Sequence, residues 1–127
     1  MSVQAKQNLR HLIPPESWDS HMHVFPDADH PTLKGKKMPY VPPPATIPQA
    51  IDVLGPVAKG LKMCIVQPSV LGVDNSITLD GVKELDGKGY GGCGVVELDV
   101  EAISKMSEVE SDRFMRDLHD QGSRGVR

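Results

Sequence analysis

The sequence predicts an α/β fold built on a parallel sheet, and three observations carry that reading. Met63-Cys64-Ile65-Val66 and the run around Val95, Val96 and Leu98 are continuously apolar, as strands covered on both faces of a parallel sheet are. Segments of helical spacing lie between and after them. The resulting order is strand, long loop, helix, strand, helix, strand, helix and the start of a strand, which implies right-handed crossovers and parallel pairing.

The first strand is read from Ser17 to Phe25. Trp18, Met22 and Val24 share one parity, and Asp19, His21 and His23 share the other. Residues 26–45 hold six prolines and fit no regular element, so they are expected to form a long loop, a feature that is usually functional or disordered. Thr46 and Gln49 occupy the two positions of a capping box, with Pro48 tolerated in the first turn. Helical spacing then runs from Ile47 to Leu61, and Pro56 is expected to kink or break it. Ile77 to Lys88 reads as a weaker helix with Gly81 as a defect, and residues 100–110 are ambiguous. Ser111 to Gln121 reads as a helix, capped by Ser111 and ended by Gly122, with Arg124 to Arg127 opening another strand.

Bulk properties narrow the function classes. The chain has 127 residues, 14 Lys plus Arg, 17 Asp plus Glu and a formal net charge of −3, which argues against a basic nucleic-acid module. One Trp, two Tyr and two Phe are few large anchors for a core. All 11 prolines lie at or before Pro68. Residues 1–16 read as a polar leader without the apolar segment of a signal peptide, and residues 17–127 as one domain. No apolar stretch approaches the ~20 residues that span a bilayer. Cys64 and Cys93 match no zinc spacing and read as core thiols of a reducing compartment, so a cytoplasmic location is expected.

His21-Met22-His23 is the sharpest candidate for chemistry. Residues i and i+2 of a strand point the same way, so both imidazoles could meet at one metal or one substrate atom, with Asp19 on the same face. The competing reading is a wet strand face. Gln67 and Ser69 follow the second strand, where parallel α/β folds place ligands, although turn chemistry would also explain them. Asp74 and Asn75 read as caps of the next helix. Arg124 and Arg127, at the last strand, could clamp a carboxylate through a bidentate fork or lie in solvent. Tyr40 could close over a site or plug the loop.

Four stretches in order resemble the amidohydrolase superfamily, specifically the 2-pyrone-4,6-dicarboxylate lactonase-like branch of the amidohydrolase-related group. They are Trp18 to Phe25, Tyr40-Val41-Pro42, Ile65 to Ser69 with Gly72 to Asn75, and Gly122 to Arg127. The resemblance implies the N-terminal half of a TIM-type (β/α)8 barrel, about three and a half βα units, since a whole barrel needs ~250 residues. It implies a hydrolase acting on a lactone, ester or amide of a small carboxylated compound. His21 and His23 would be catalytic, and Tyr40, Ser69 and Arg127 would bind substrate.

The resemblance leaves the cofactor open. In metal-dependent members one divalent ion, zinc or manganese, would sit on His21 and His23; in the lactonase-like branch there would be none, and the histidines would polarise the substrate carbonyl. A truncated, weakly active or inactive chain is expected, because the family's late histidine and aspartate have no counterpart. Alternatives are a metal-dependent decarboxylase and a non-catalytic remnant that self-associates through exposed sheet edges. No nucleic-acid or membrane partner is expected.

Overall fold

The computed structural model describes residues 2, 12–14, 16–54 and 60–127. Most of the expected leader over 1–16 and the break expected at Gly55-Pro56 lie outside the described residues.

Four strands form one parallel sheet in sequence order: β1 (Trp18–Met22), β2 (Lys62–Val66), β3 (Gly92–Val96) and β4 (Ser123–Val126). The helices are α1 (Ile47–Leu54), α2 (Ser76–Gly87), α3 (Val100–Ser104) and α4 (Glu108–Asp120). Short 3-10 turns at Pro31–Leu33 and Ser69–Leu71 lie in the loops after β1 and β2. Among the described residues, no helix is long and apolar enough to cross a membrane.

Local chemistry accounts for the helix starts. Thr46 and Gln49 exchange the two bonds of a capping box, with the Thr46 N–H donating to Gln49 Oε1 at 2.8 Å. The last helix begins earlier than its apolar stripe suggests. Ser107 caps α4 and the Glu110 carboxylate accepts from the Ser107 N–H, so Ser111 lies inside the helix. The ambiguous stretch over 100–110 resolves as α3 and the first residues of α4, with Asp99 accepting from the Ala102 N–H at the start of α3.

The core lies between the sheet and α1 and α2. Ile47, Met63, Ile65 and Leu85 are fully buried, and each such side chain contributes about 1.5–3 kcal/mol relative to exposure. Gly81 is a contact point rather than a defect. A Cβ there would meet Ile65 at 3.0 Å and Val24 at 3.4 Å, so glycine lets α2 close on the sheet. A smaller cluster of Leu79, Val96 and Leu118 seats α4 beside β3.

The barrel fragment expected from the resemblance is not what forms. The described residues make a small open α/β sheet of four strands, in which β1 and β4 are edges that each pair with one neighbour. Nor are the apolar runs covered on both faces. Ideal Cβ positions at Gly92 and Gly94 point into Leu85, Val82 and Leu79 of α2, whereas Cys64 and Cys93 face the other way and stay half-buried. Apolar continuity marks a strand, but it does not report whether a second layer covers it.

The long loop after β1 is ordered from its ends inward. Phe25 and Ala45 exchange two backbone hydrogen bonds of 2.8 Å, closing the loop at its base. Leu33, buried in the main core, anchors its middle.

Candidate active site

The carboxyl ends of the strands gather the polar side chains, as in other parallel α/β folds. β1 stops at Met22, so His23 lies one residue beyond it. The register between β1 and β2 shifts between Asp19 and Met22. The extra residue breaks the simple alternation of faces. Asp19, Met22 and His23 consequently line the same cleft, against Gln49 and Asp52 of α1 and its flank. Asp19 also turns back to accept from the His21 N–H at 3.2 Å. The two imidazoles remain neighbours, with ring centroids 4.9 Å apart and planes at 87°.

One contact sets the chemistry of His23. Its Nδ1 lies 2.7 Å from the carbonyl oxygen of Val66, at the end of β2. A carbonyl only accepts, so Nδ1 carries the proton in this bond. In the neutral ring Nε2 then holds a lone pair. That nitrogen can take a proton from water or ligate a metal. It donates to a substrate carbonyl only in the imidazolium form.

Tyr40 and Ser69 come together in a different cleft of about 740 Å³, which Lys36, Lys37, Leu71 and Asp74 also line. That volume suits a small ligand. Lys36 is partly engaged, its Nζ 3.4 Å from the Leu71 carbonyl and 3.8 Å from Asp74. The Asp74 carboxyl is held below its usual range, chiefly by the hydrogen bond from the Ser76 hydroxyl and also by Lys36.

Gln67 is not a ligand-facing amide. It is fully buried; its Nε2 donates to the carbonyls of Gly72 and Asp74 at 2.9 and 2.8 Å, and its Oε1 accepts from Thr78 at 2.6 Å. Asn75 likewise grips the backbone of Glu97, donating to its carbonyl at 2.8 Å and accepting from its N–H at 2.9 Å. The loop from Gln67 to Asn75 is thereby tied to both α2 and β3.

Arg127 reaches the same rim. Its Nη1 donates to the Gln67 carbonyl at 2.8 Å and its Nε lies 3.6 Å from Glu97 Oε2. Arg124 turns away and donates to the carbonyls of His119 and Ser123, both at 2.7 Å, closing the end of α4. The structure therefore joins His21 to His23, Tyr40 to Ser69, and Arg127 to the backbone between Val66 and Ser69.

Sequence reasoning missed Glu97 and the lysines. Glu97 follows the Val95-Val96 run directly, so the strand-end rule that selected Ser69 also selects it. Lys36-Lys37 lies only three residues from Tyr40 in the same loop. Among the described residues, no group of three His, Cys, Asp or Glu side chains is placed to hold a metal ion.

No family model matches the chain. It is 34% identical over 116 residues to 4-sulfomuconolactone hydrolase of Rhizobium radiobacter, a match covering 91% of this chain and 34% of that protein. It is 37% identical over 82 residues to 4-sulfomuconolactone hydrolase of Hydrogenophaga intermedia, covering 63% of this chain and 26% of that one. The chain thus spans about a third or less of the length of the curated relatives it matches. Among solved structures it resembles a probable 2-pyrone-4,6-dicarboxylic acid hydrolase from Acinetobacter baumannii crystallised with citric acid, with TM-score 0.64, 24% identity, and coverage of 87% of this chain and 36% of that chain. An apo structure from Agrobacterium tumefaciens matches with TM-score 0.54 and 22% identity over 90% of this chain and 37% of that chain. At such identities these two likenesses speak for the fold alone.

The comparisons correct the resemblance read from the motifs. Neither sequence relative is named as a member of the amidohydrolase-related group, and no family model places the chain there, so that assignment does not stand.

Proposed function

We propose that this chain carries part of the active site of a lactone hydrolase, one that takes a small lactone bearing an anionic substituent. The observation that carries the reading is the His23 Nδ1 bond to the Val66 carbonyl, which directs the Nε2 lone pair outward as a base. The names of the curated sequence relatives, both hydrolases of a sulfonated lactone, supply the substrate class.

In this reading a water molecule attacks the acyl carbon of the lactone while His23 Nε2 takes its proton. The acyl C–O bond breaks, and the proton passes to the departing ring oxygen, which becomes a hydroxyl. The new carboxylic acid ionises at neutral pH and releases one proton per turnover. His21 packs edge-on to His23 and orients its ring. Tyr40 and Ser69 offer hydroxyls to the anionic substituent and Lys37 offers its charge, with the N–H groups of Arg127 not bound to Gln67 on the adjoining rim. Val66, which holds His23, and Ser69, which lines the second cleft, are three residues apart and therefore within about 10 Å of each other. Where a divalent ion is used, His21 and His23 are the residues that would hold it, and it would supply an activated water.

The test is proton release from 4-sulfomuconolactone in a pH-stat, with the wild-type chain and His23→Ala compared at equal folded content. Ring opening that falls about 10²–10⁴-fold in the variant is the expected result. Equal rates in the two proteins, or no ring opening and no binding of the lactone by the folded wild type, overturn the reading. The same assay with added zinc or manganese and with a chelator decides the role of metal.

A further inference from the structure

The face of the sheet away from the helices holds a pair of cysteines that the proposed hydrolysis does not use. Cys64 and Cys93 are register partners on the adjacent parallel strands β2 and β3. Their strand neighbours point the other way. Met63 and Ile65 are fully buried, and Cβ atoms at Gly92 and Gly94 would touch α2. Alternation therefore puts both thiols side by side on the opposite face. Both are free and half-buried, so a small reagent can reach them.

The geometry points to a dithiol site for a soft, thiophilic centre that bridges two sulfurs, of which a trivalent arsenical is the chemical type. Side chains of directly paired residues on parallel strands run alongside each other, so their Cβ atoms keep roughly the strand spacing of about 4.7–4.9 Å. A direct S–S bond needs a Cβ separation of about 3.5–4.5 Å. Closing a disulfide here would require the strands to move together. An atom inserted between the sulfurs adds a second bond to the bridge and removes that requirement.

The microenvironment agrees with a paired site. Burial, followed by the hydrogen bond with Cys93, pushes the Cys64 thiol up to about 11, so at neutral pH Cys64 rests as a protonated thiol in contact with Cys93. Condensation with phenylarsine oxide fits that resting state. Two S–H bonds and the As=O bond are lost, two As–S bonds form, and the oxygen leaves as one water with both thiol protons. No oxidant or reductant is consumed.

The experiment is titration of the native protein with phenylarsine oxide, read by intact mass. One arsenical per chain is expected, stable to excess monothiol and removed by dithiothreitol. Cys64→Ser and Cys93→Ser should each weaken binding about 10²–10⁴-fold, the gain expected from a second tethered contact. Digestion of the wild-type adduct should yield the peptides containing Cys64 and Cys93 joined through arsenic, a readout independent of whether either variant folds. Two arsenicals per chain, an adduct stripped by monothiol, or unlinked peptides would overturn the proposal. This inference stands apart from lactone hydrolysis, and either can fail alone.

Discussion

The two loops that frame the lysine-lined cleft are built by different means. The loop from Gln67 to Asn75 is stitched from within. The buried Gln67 amide serves Gly72, Asp74 and Thr78, Asn75 grips Glu97, and Leu71 is almost fully buried. The loop over 26–45 is instead fastened at its base by Phe25 and Ala45 and in its middle by Leu33. Tyr40 and Val41 beyond that anchor are exposed. Lys36 reaches from the second loop to the Leu71 carbonyl of the first, so one loop takes its position partly from the other. Internal hydrogen bonding makes the first a fixed wall. The second delivers a charge and a hydroxyl to that wall while contributing little to stability beyond its anchors.

Substitutions can break or sharpen that contrast, and Gln67→Ala should have the largest effect. It strands the Thr78 hydroxyl and leaves two backbone carbonyls without their partner. At roughly 1–3 kcal/mol per buried unsatisfied group, with partial access of water, a loss of about 3 kcal/mol is expected in urea denaturation. A loss below 0.5 kcal/mol would mean that the wall does not depend on the amide.

Lys37→Ala and Tyr40→Ala test the opposite property of the other loop. Their stability should stay within about 0.5 kcal/mol of wild type, as is usual for exposed positions. Binding of an anionic lactone, followed by calorimetry, should weaken about tenfold for Lys37→Ala and show a smaller dependence on salt. Unchanged affinity in both variants would remove this cleft from the substrate path.

Asp74→Asn should have the smallest effect, a few tenths of a kcal/mol, because the group is largely exposed and screened. Its pH signature is nevertheless diagnostic. The Asp74 carboxyl is held below its ordinary value, so its contribution is present above the unfolded carboxylate pKa. That contribution disappears as pH falls through the lower folded value. Asparagine should flatten that part of the stability profile, measured by denaturation between about pH 2 and pH 5.

The sequence by itself determined the four strands, α1, α2 and α4, and their order. Strand parity, apolar runs, the Thr46–Gln49 box and the positions following strands are local properties, and local geometry enforces them wherever the chain goes. They sufficed to place Ser69 just past the second strand, whereas His23 reads as internal to a strand reaching Phe25 and Arg127 as part of a strand's opening; the structure puts both just past strand ends. Where the reading slipped locally, a competing local signal was present. Ser107 with Glu110 outcompeted Ser111 as a cap, whereas the need for Gly81 has no local signal and comes from packing by residues outside its own helix.

Only the tertiary structure decided which polar groups are free and which are engaged. The proton position on His23 depends on a carbonyl 43 residues away, and Arg127 is bound to one 60 residues away. Gln67 looks like a ligand-facing amide until Thr78 and the returning loop surround it. The open sheet, the register shift in β1 and the pairing of Cys64 with Cys93 are likewise products of strand docking. Periodicity along one strand states which way a side chain points. It says nothing about what will stand opposite, because that partner is chosen by packing between segments distant in the chain.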